Sequence, residues 1–269
     1  MKNLFAILTI LFFAAMSCNK AKKMHEGTSA TAKINDSLPE KFAIDSVQID
    51  DSLKINENVT AAFQSKLLVF PLIKDSILLD SIYSKTEIHP TNYSKAHLLK
   101  ELQAKKSEFY QETKDGLQGW KPDFKQTWNN NSDMTIFSNK NDLLTIKYSG
   151  DGFTGGAHGY YYEFYKVFDL QTKKTLQLSD VLSDKNPKIW SKILMDHFLK
   201  NDLENGQSEM LLVKEIPLND NFYFDQDHLY FLYNQYEITA YAAGPVLIKV
   251  PFSAIQTILK SEFKKRLGI

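Results

Sequence analysis

Cysteine is the first scarcity: a single thiol, Cys18, in 269 residues. One Cys makes no intramolecular disulfide, no Cys-rich zinc site and no iron–sulfur cluster, so stability rests on buried apolar and aromatic surface. Net charge is the second, because 32 Lys plus Arg balance 32 Asp plus Glu and leave no field to attract nucleic acid. Nucleic acid is therefore not an expected partner. Enzyme signatures are missing too: there is no phosphate loop of the G-x-x-x-x-G-K type, no H-E-x-x-H and no G-x-S-x-G elbow. The six His, at 25, 89, 97, 158, 197 and 228, form no pair at ligand spacing on one helix, so no metal or other cofactor is expected. Asp225-Gln226-Asp227 lacks the Gly and terminal Glu of a calcium loop and reads as a hairpin turn. What is abundant is apolar and aromatic: 43% hydrophobic residues, with 18 Phe and 13 Tyr, a globular composition.

The N-terminus carries Lys2, then twelve residues from Leu4 to Ala15 with only Thr9 polar, then Met16-Ser17-Cys18. A run of that length is about 18 Å as helix, too short for a bilayer core of roughly 30 Å, and it reads as a secretion signal. Cys18 directly after Ala15-Met16-Ser17 resembles the lipobox of bacterial lipoproteins, which implies cleavage after residue 17 and lipidation of Cys18. The next segment, to about residue 40, is rich in Lys, Ser, Thr and Ala, and reads as a flexible tether. Asn19-Lys20 stands where Asp marks inner-membrane retention in enteric bacteria, so the expected address is the outer membrane, facing the periplasm or the surface. The organisation expected is 1–17 signal peptide, 18–40 tether, 41–128 a variable N-terminal α+β part and 129–269 a C-terminal domain.

Within the folded part, short apolar runs between Phe42 and Phe70 predict strands, and Leu72–Tyr83 predicts a helix after Pro71. Leu98, Leu99, Leu102, Phe109 and Tyr110 recur at helical spacing within a helix expected over 92–113. Asn129-Asn130-Asn131 reads as a turn. Tyr160 to Leu170 alternates with period two, placing Tyr160, Tyr162, Phe164 and Phe168 on one face. Asn186-Pro187 starts a helix whose stripe is Ile189, Trp190, Ile193, Leu194, His197 and Phe198. Phe222–Phe224 and Leu229–Tyr233 read as a hairpin, Val246–Val250 as a strand, and Ser253 with Gln256 as a capping box for a final helix ended by Gly268. Strands and helices in blocks predict an α+β fold: antiparallel sheets packed by three or four helices, in one or two lobes.

Two stretches stand out. Gly150 to Gly159 holds five glycines, which permit positive φ and close approach. It reads either as a ligand loop with His158 as its titrating group, or as a bulged crossover in which His158 caps the neighbouring strand. Tyr236 to Pro245 is an aromatic strand punctuated by Ala and Gly-Pro, for which a packed turn is the simpler reading.

G-G-A-H-G at 155–159, F-D-L-Q-T-K-K-T-L-Q-L-S-D-V-L at 168–182, F-Y-F-D-Q-D-H-L-Y-F-L-Y-N-Q-Y-E-I-T-A-Y-A-A-G at 222–244 and V-P-F-S-A-I at 250–255 carry a resemblance. In order and spacing they resemble an extracytoplasmic domain family of formally unknown function. That family occurs in the lysozyme-sensing anti-sigma factor RsiV and beside the catalytic domain of PdaC-type peptidoglycan deacetylases. The resemblance runs from about 130 to 266. It implies binding rather than catalysis, with a lysozyme-like protein or a peptidoglycan fragment as partner. Neither a spanning helix nor the His and Asp motifs of the deacetylase catalytic domain is recognisable, so that activity does not carry over. The expected ligand-binding residues are Thr154, Gly155, His158, Tyr160, Tyr241 and Gly244. The alternatives are an envelope glycan hydrolase, which needs an exposed pair among Asp151, Glu163, Asp225, Asp227 and Glu237, and a structural or assembly lipoprotein.

Overall fold

The computed structural model describes residues 43–201 and 206–269. The signal segment 1–17, Cys18 and the tether 18–40 lie outside the described residues. By contacts the chain divides at Leu38/Pro39, and all that follows concerns the unit Pro39–Ile269.

Strands β1 (Asp45–Lys54) and β2 (Val59–Val69) form an antiparallel hairpin whose turn is tied by Asn56 Oδ1, which accepts the N–H groups of Asn58 and Val59. On β2, Ala61, Phe63, Leu67 and Val69 are all buried, the period-two face a half-buried strand needs. Helix α1 (Ser76–Tyr83) starts later than Pro71 predicts, because Asp75 caps it by accepting the Leu78 N–H. Helix α2 (Lys95–Gly116) is capped by Ser94 and buries Leu98, Leu102, Phe109 and Tyr110, the expected stripe.

Strand β3 (Gln126–Lys140) runs straight through Asn129-Asn130-Asn131, which corrects the expected turn. The amides of Asn129 and Asn131 both donate to Asp151 Oδ2 on the next strand, at 3.1 and 2.9 Å. Those cross-strand bonds supply what Asn otherwise seeks from a turn. Strands β4 (Leu143–Phe153), β5 (Tyr160–Asp169) and β6 (Lys174–Thr175) complete a six-stranded sheet in sequence order. All neighbours are antiparallel except β2 and β3, which are parallel. A parallel pair needs a long crossover, and the segment with α1 and α2 provides it. The 128/129 boundary expected from the sequence falls inside β3.

The helices cover one face of this sheet: Leu78, Ile82, Leu98 and Leu102 share a core with Val47, Leu67, Met134, Ile146, Tyr148 and Phe168. The rest of the chain builds a smaller layer. After the single turn α3 (Leu178–Val181), helix α4 (Pro187–Asn201) buries Trp190, Leu194 and Phe198 but leaves Ile189 exposed. Its partner is the antiparallel sheet of β7 (Phe222–Phe224), β8 (His228–Tyr233) and β9 (Val246–Pro251), with Phe231 and Ile248 fully buried beneath it. Each such large side chain contributes roughly 1.5–3 kcal/mol by burial. The capping box expected at Ser253 does not form. A short α5 (Phe252–Ile255) leads instead to α6 (Ser261–Leu267), which ends with Gly268 at φ 75°. The fold is α+β, as the sequence predicts. No helix among the described residues is long and apolar enough to cross a membrane.

Candidate functional site

The two glycine-punctuated stretches, far apart in sequence, meet. Asparagine side chains bring them together by standing in for a strand at the open edge of β5. Asn234 Oδ1 accepts the Glu163 N–H at 2.8 Å while its Nδ2 donates to the Glu163 carbonyl at 3.1 Å. Asn221 likewise takes the Tyr165 N–H and donates to the Glu163 carbonyl, both at 2.8 Å. Both asparagines are buried, so each amide satisfies backbone groups that would otherwise be orphaned. A ring cluster of Tyr165, Tyr223 and Phe137 packs beside them.

With the layers so fixed, the β4–β5 loop lies against the turn after β8. The His158 ring stacks on Tyr241 with centroids 3.9 Å apart and planes 26° apart, and His158 is exposed. Its Nδ1 lies 2.9 Å from the Gly159 carbonyl, which can only accept. Nδ1 is therefore the donor of this hydrogen bond, which leaves Nε2 facing away from it. Tyr241 opens a single 3-10 turn, Tyr241–Ala243, braced by the Gln207 amide donating to the carbonyls of Ala243 and Pro245. Gly244 leaves that turn at φ 69°. Tyr236, itself at φ 66° and 59% exposed, lies 5.9 Å from Tyr241.

The glycines have different jobs. Only Gly155 and Gly156, of the five between 150 and 159, have positive φ. Gly155 also presses on Trp128, where an added Cβ would come within 2.9 Å of the indole. Gly150 and Gly152 are ordinary strand residues opposite Tyr162 and Tyr160 in the β4–β5 ladder. A Cβ at either would sit 2.5 Å from the facing phenol, so the bare backbone is the seat of the ring. The two rings are parallel within 3°, 6.4 Å apart, and Tyr160 remains 42% exposed. Trp128 is buried beneath the loop, and its exposed neighbour Trp120 lies with its ring centroid 6.2 Å away.

Of the expected site residues, His158 and Tyr241 are in direct contact, with Gly244 closing the same turn. Thr154 is exposed at the start of the loop, Gly155 rests on Trp128, and Tyr160 lies over Gly152. Sequence reasoning missed Trp128, Asn221 and Asn234. The partners of the asparagines are backbone atoms 56 to 71 residues away, and nothing local signals that.

The acidic residues considered for catalysis are mostly occupied. Burial opposes ionisation of Glu163, but hydrogen bonds from Tyr165 and Tyr161, together with Lys147 at 3.0 Å, outweigh it and hold the carboxyl below its usual range. Asp225 behaves alike: burial raises it, while Tyr230 Oη and the N–H groups of Asp227 and His228 lower it further. A general acid needs the opposite shift. Asp225, Asp227 and His228 are the one grouping of metal-ligand type among the described residues, and Asp225 already serves there as the acceptor of the β7–β8 turn.

An α+β domain of a six-stranded and a three-stranded sheet, with two loops apposed, is the class this architecture defines. Residues 176–253 match the family model described as a protein of unknown function (DUF3298). That match takes in Tyr241 and Gly244 and leaves out the loop with His158. The fold is similar to that of a DUF3298-family protein from Bacteroides fragilis NCTC 9343, with a TM-score of 0.69 and 21% identity over 82% of this chain and 94% of that one. It is also similar to a DUF3298-family protein from Pseudomonas aeruginosa PAO1, with a TM-score of 0.57 and 18% identity over 82% and 96%. No curated protein matches the chain.

Proposed function

We propose that this chain is a binding module of the cell envelope, held to a membrane by a lipid on Cys18, that engages a lysozyme-like protein through the paired loops. The observation that supports this most is the exposed stack of His158 on Tyr241, with Tyr236 beside it. Rigid Tyr and His rings on braced turns offer large contact area at small ordering cost, which suits a protein hot spot. The sequence resemblance to the lysozyme-sensing RsiV domain supports the same partner, and the resemblance to PdaC-type domains supports a glycan. Peptidoglycan glycan is the second reading, favoured by the half-exposed Tyr160 ring seated flat on Gly152, since a sugar stacks its apolar face on such a ring. Catalysis is disfavoured by the lowered carboxyls of Glu163 and Asp225.

Calorimetry of the full chain against lysozyme, and separately against muropeptides, tests the reading. Tyr241→Ala and His158→Ala are each expected to weaken binding by a factor of about 30, the effect of a hot-spot residue worth roughly 2 kcal/mol. Unchanged affinity in both folded variants would remove the loop pair from the interface. For the anchor, Cys18→Ser is expected to move the protein from the membrane to the soluble fraction of cells, and retention would sink the lipid assignment.

A further inference from the structure

The sheet face away from α1 and α2 bears polar side chains in register. One row crosses five strands as Asp50, Gln64, Asn131, Asp151 and Tyr161, each the Cα partner of the next. The adjacent row runs Gln48, Lys66, Asp133 and Ser149. Together they line a concavity of about 350 Å³, within the range of small-ligand sites. An antiparallel sheet often turns a polar face to water, and long, freely solvated side chains suffice for that. Here most are short amides and carboxylates, and part of the set is already fixed. Asp151 is gripped by two asparagine amides, and the Tyr161 phenol is locked on Glu163 Oε2 at 2.7 Å. Gln48, Gln64 and Asp50, in contrast, make no side-chain hydrogen bond to another described residue.

We infer that this concavity is an oligosaccharide site, separate from the loop pair. Vicinal hydroxyls each donate and accept, and a groove that mixes amides with carboxylates offers the complement to both roles. The Tyr161 ring closes one end of the row, giving the apolar face of a sugar a surface to stack on. Charge narrows the class. Asp50, Asp133 and Asp151 stand against the single ammonium of Lys66, so the lining repels phosphates and sugar acids and accepts neutral or amino sugars. Fixed groups at Asp151 and Tyr161 lower the ordering cost of binding.

The test titrates the full-length chain with a neutral N-acetylglucosamine tetramer, a glucosamine tetramer and, as the anionic comparison, a galacturonate tetramer. The neutral or the amino tetramer is expected to bind saturably, with Kd on the order of 1 mM or tighter and the galacturonate tetramer at least about tenfold weaker. Gln64→Ala, which breaks no internal hydrogen bond, and Asp151→Ala are each expected to weaken binding about tenfold. His158→Ala is expected to leave it unchanged. Absence of binding by both the neutral and the amino tetramer would overturn the inference. So would sugar binding insensitive to Gln64→Ala and Asp151→Ala but lost in His158→Ala, which would place the sugar on the loop pair instead. A failed loop pair with an intact groove, or the reverse, separates this inference from the proposed function.

Discussion

Lys166 projects from β5 onto the end of α1, where its Nζ donates to the Ser81 carbonyl at 2.9 Å and to the hydroxyls of Ser84 and Ser81 at 2.8 and 3.2 Å. None of these acceptors is charged. Burial first, and then repulsion from Lys85, bring its pKa down to about 8. The sign of the stability effect follows from proton counting. Between about 8 and the unfolded value of roughly 10.4 the unfolded chain holds more protons, so this group makes stability rise with pH across that window. The NMR titration of Lys166 Cε is expected to show a midpoint near 8, and a midpoint above 10 would contradict the burial account. The glycines allow a second comparison at this scale. Gly159→Ala would drive its Cβ into the Gly152 carbonyl, a rigid backbone atom, whereas Gly152→Ala meets a phenol ring that can swing aside. Urea melts are expected to show Gly159→Ala costing about 2–3 kcal/mol and Gly152→Ala less, in line with overpacking. Equal costs would mean that the ring seat is as stiff as the backbone.

At the level of elements, the asparagine pair at the β5 edge replaces the ladder of a missing strand. Asn234→Ala would leave the Glu163 N–H without its partner, at a cost of about 1–3 kcal/mol, and the Glu163 amide is expected to exchange with solvent much faster. Unchanged protection of that amide would show that another group satisfies it. The elements also show what a sequence makes legible. Wherever burial is periodic, as with Leu98, Leu102, Phe109 and Tyr110 on α2, or with Trp190, Leu194 and Phe198 on α4, the reading and the structure agree. The reading fails where long-range partners decide. The triple Asn of β3 resembles a turn until Asp151 is placed opposite it, and the parallel pairing of β2 with β3 has no local mark at all. The site follows the same division. Glycine content and aromatics pointed to both stretches around His158 and Tyr241, but only the fold could bring the two rings to 3.9 Å.

Across the whole molecule, the large sheet and the smaller layer are joined by the Asn221–Asn234 amides, the Tyr165–Tyr223 cluster and an ion pair at the C-terminus. Arg266 on α6 reaches back to Asp169, with Nη2 to Oδ1 at 3.1 Å and Nη1 to Oδ2 at 3.3 Å, and its Nε donates to the Asn141 carbonyl. Burial alone would raise Asp169, but N–H donors from Thr172 and Gln171 and the Arg266 guanidinium outweigh it, so the folded pKa is lowered. A depressed carboxyl contributes stability that is present above its unfolded value and lost as pH falls through its folded one, here below 3.8. Arg266→Ala is expected to cost about 2 kcal/mol at pH 7 and to flatten the acid limb of stability against pH, measured by urea denaturation. An acid limb identical to wild type would assign it to other carboxylates. With three joints of this kind the two layers are expected to unfold in one calorimetric transition, and Tyr165→Ala to split it into two. A single transition in that variant would show that the amides and the ion pair suffice.

The parallel join of β2 to β3 also shapes the order of events as the chain emerges. The β1–β2 hairpin can close by itself, yet the inner edge of β2 stays open until Gln126 to Asp133 have been made and the whole segment with α1 and α2 has folded across. Until then a strand carrying Phe63, Leu67 and Val69 presents unpaired N–H and C=O groups to any other copy nearby. Such a high-separation pairing is slow to form. The nascent chain therefore passes through a window in which its most vulnerable surface is the one later sealed in the middle of the sheet.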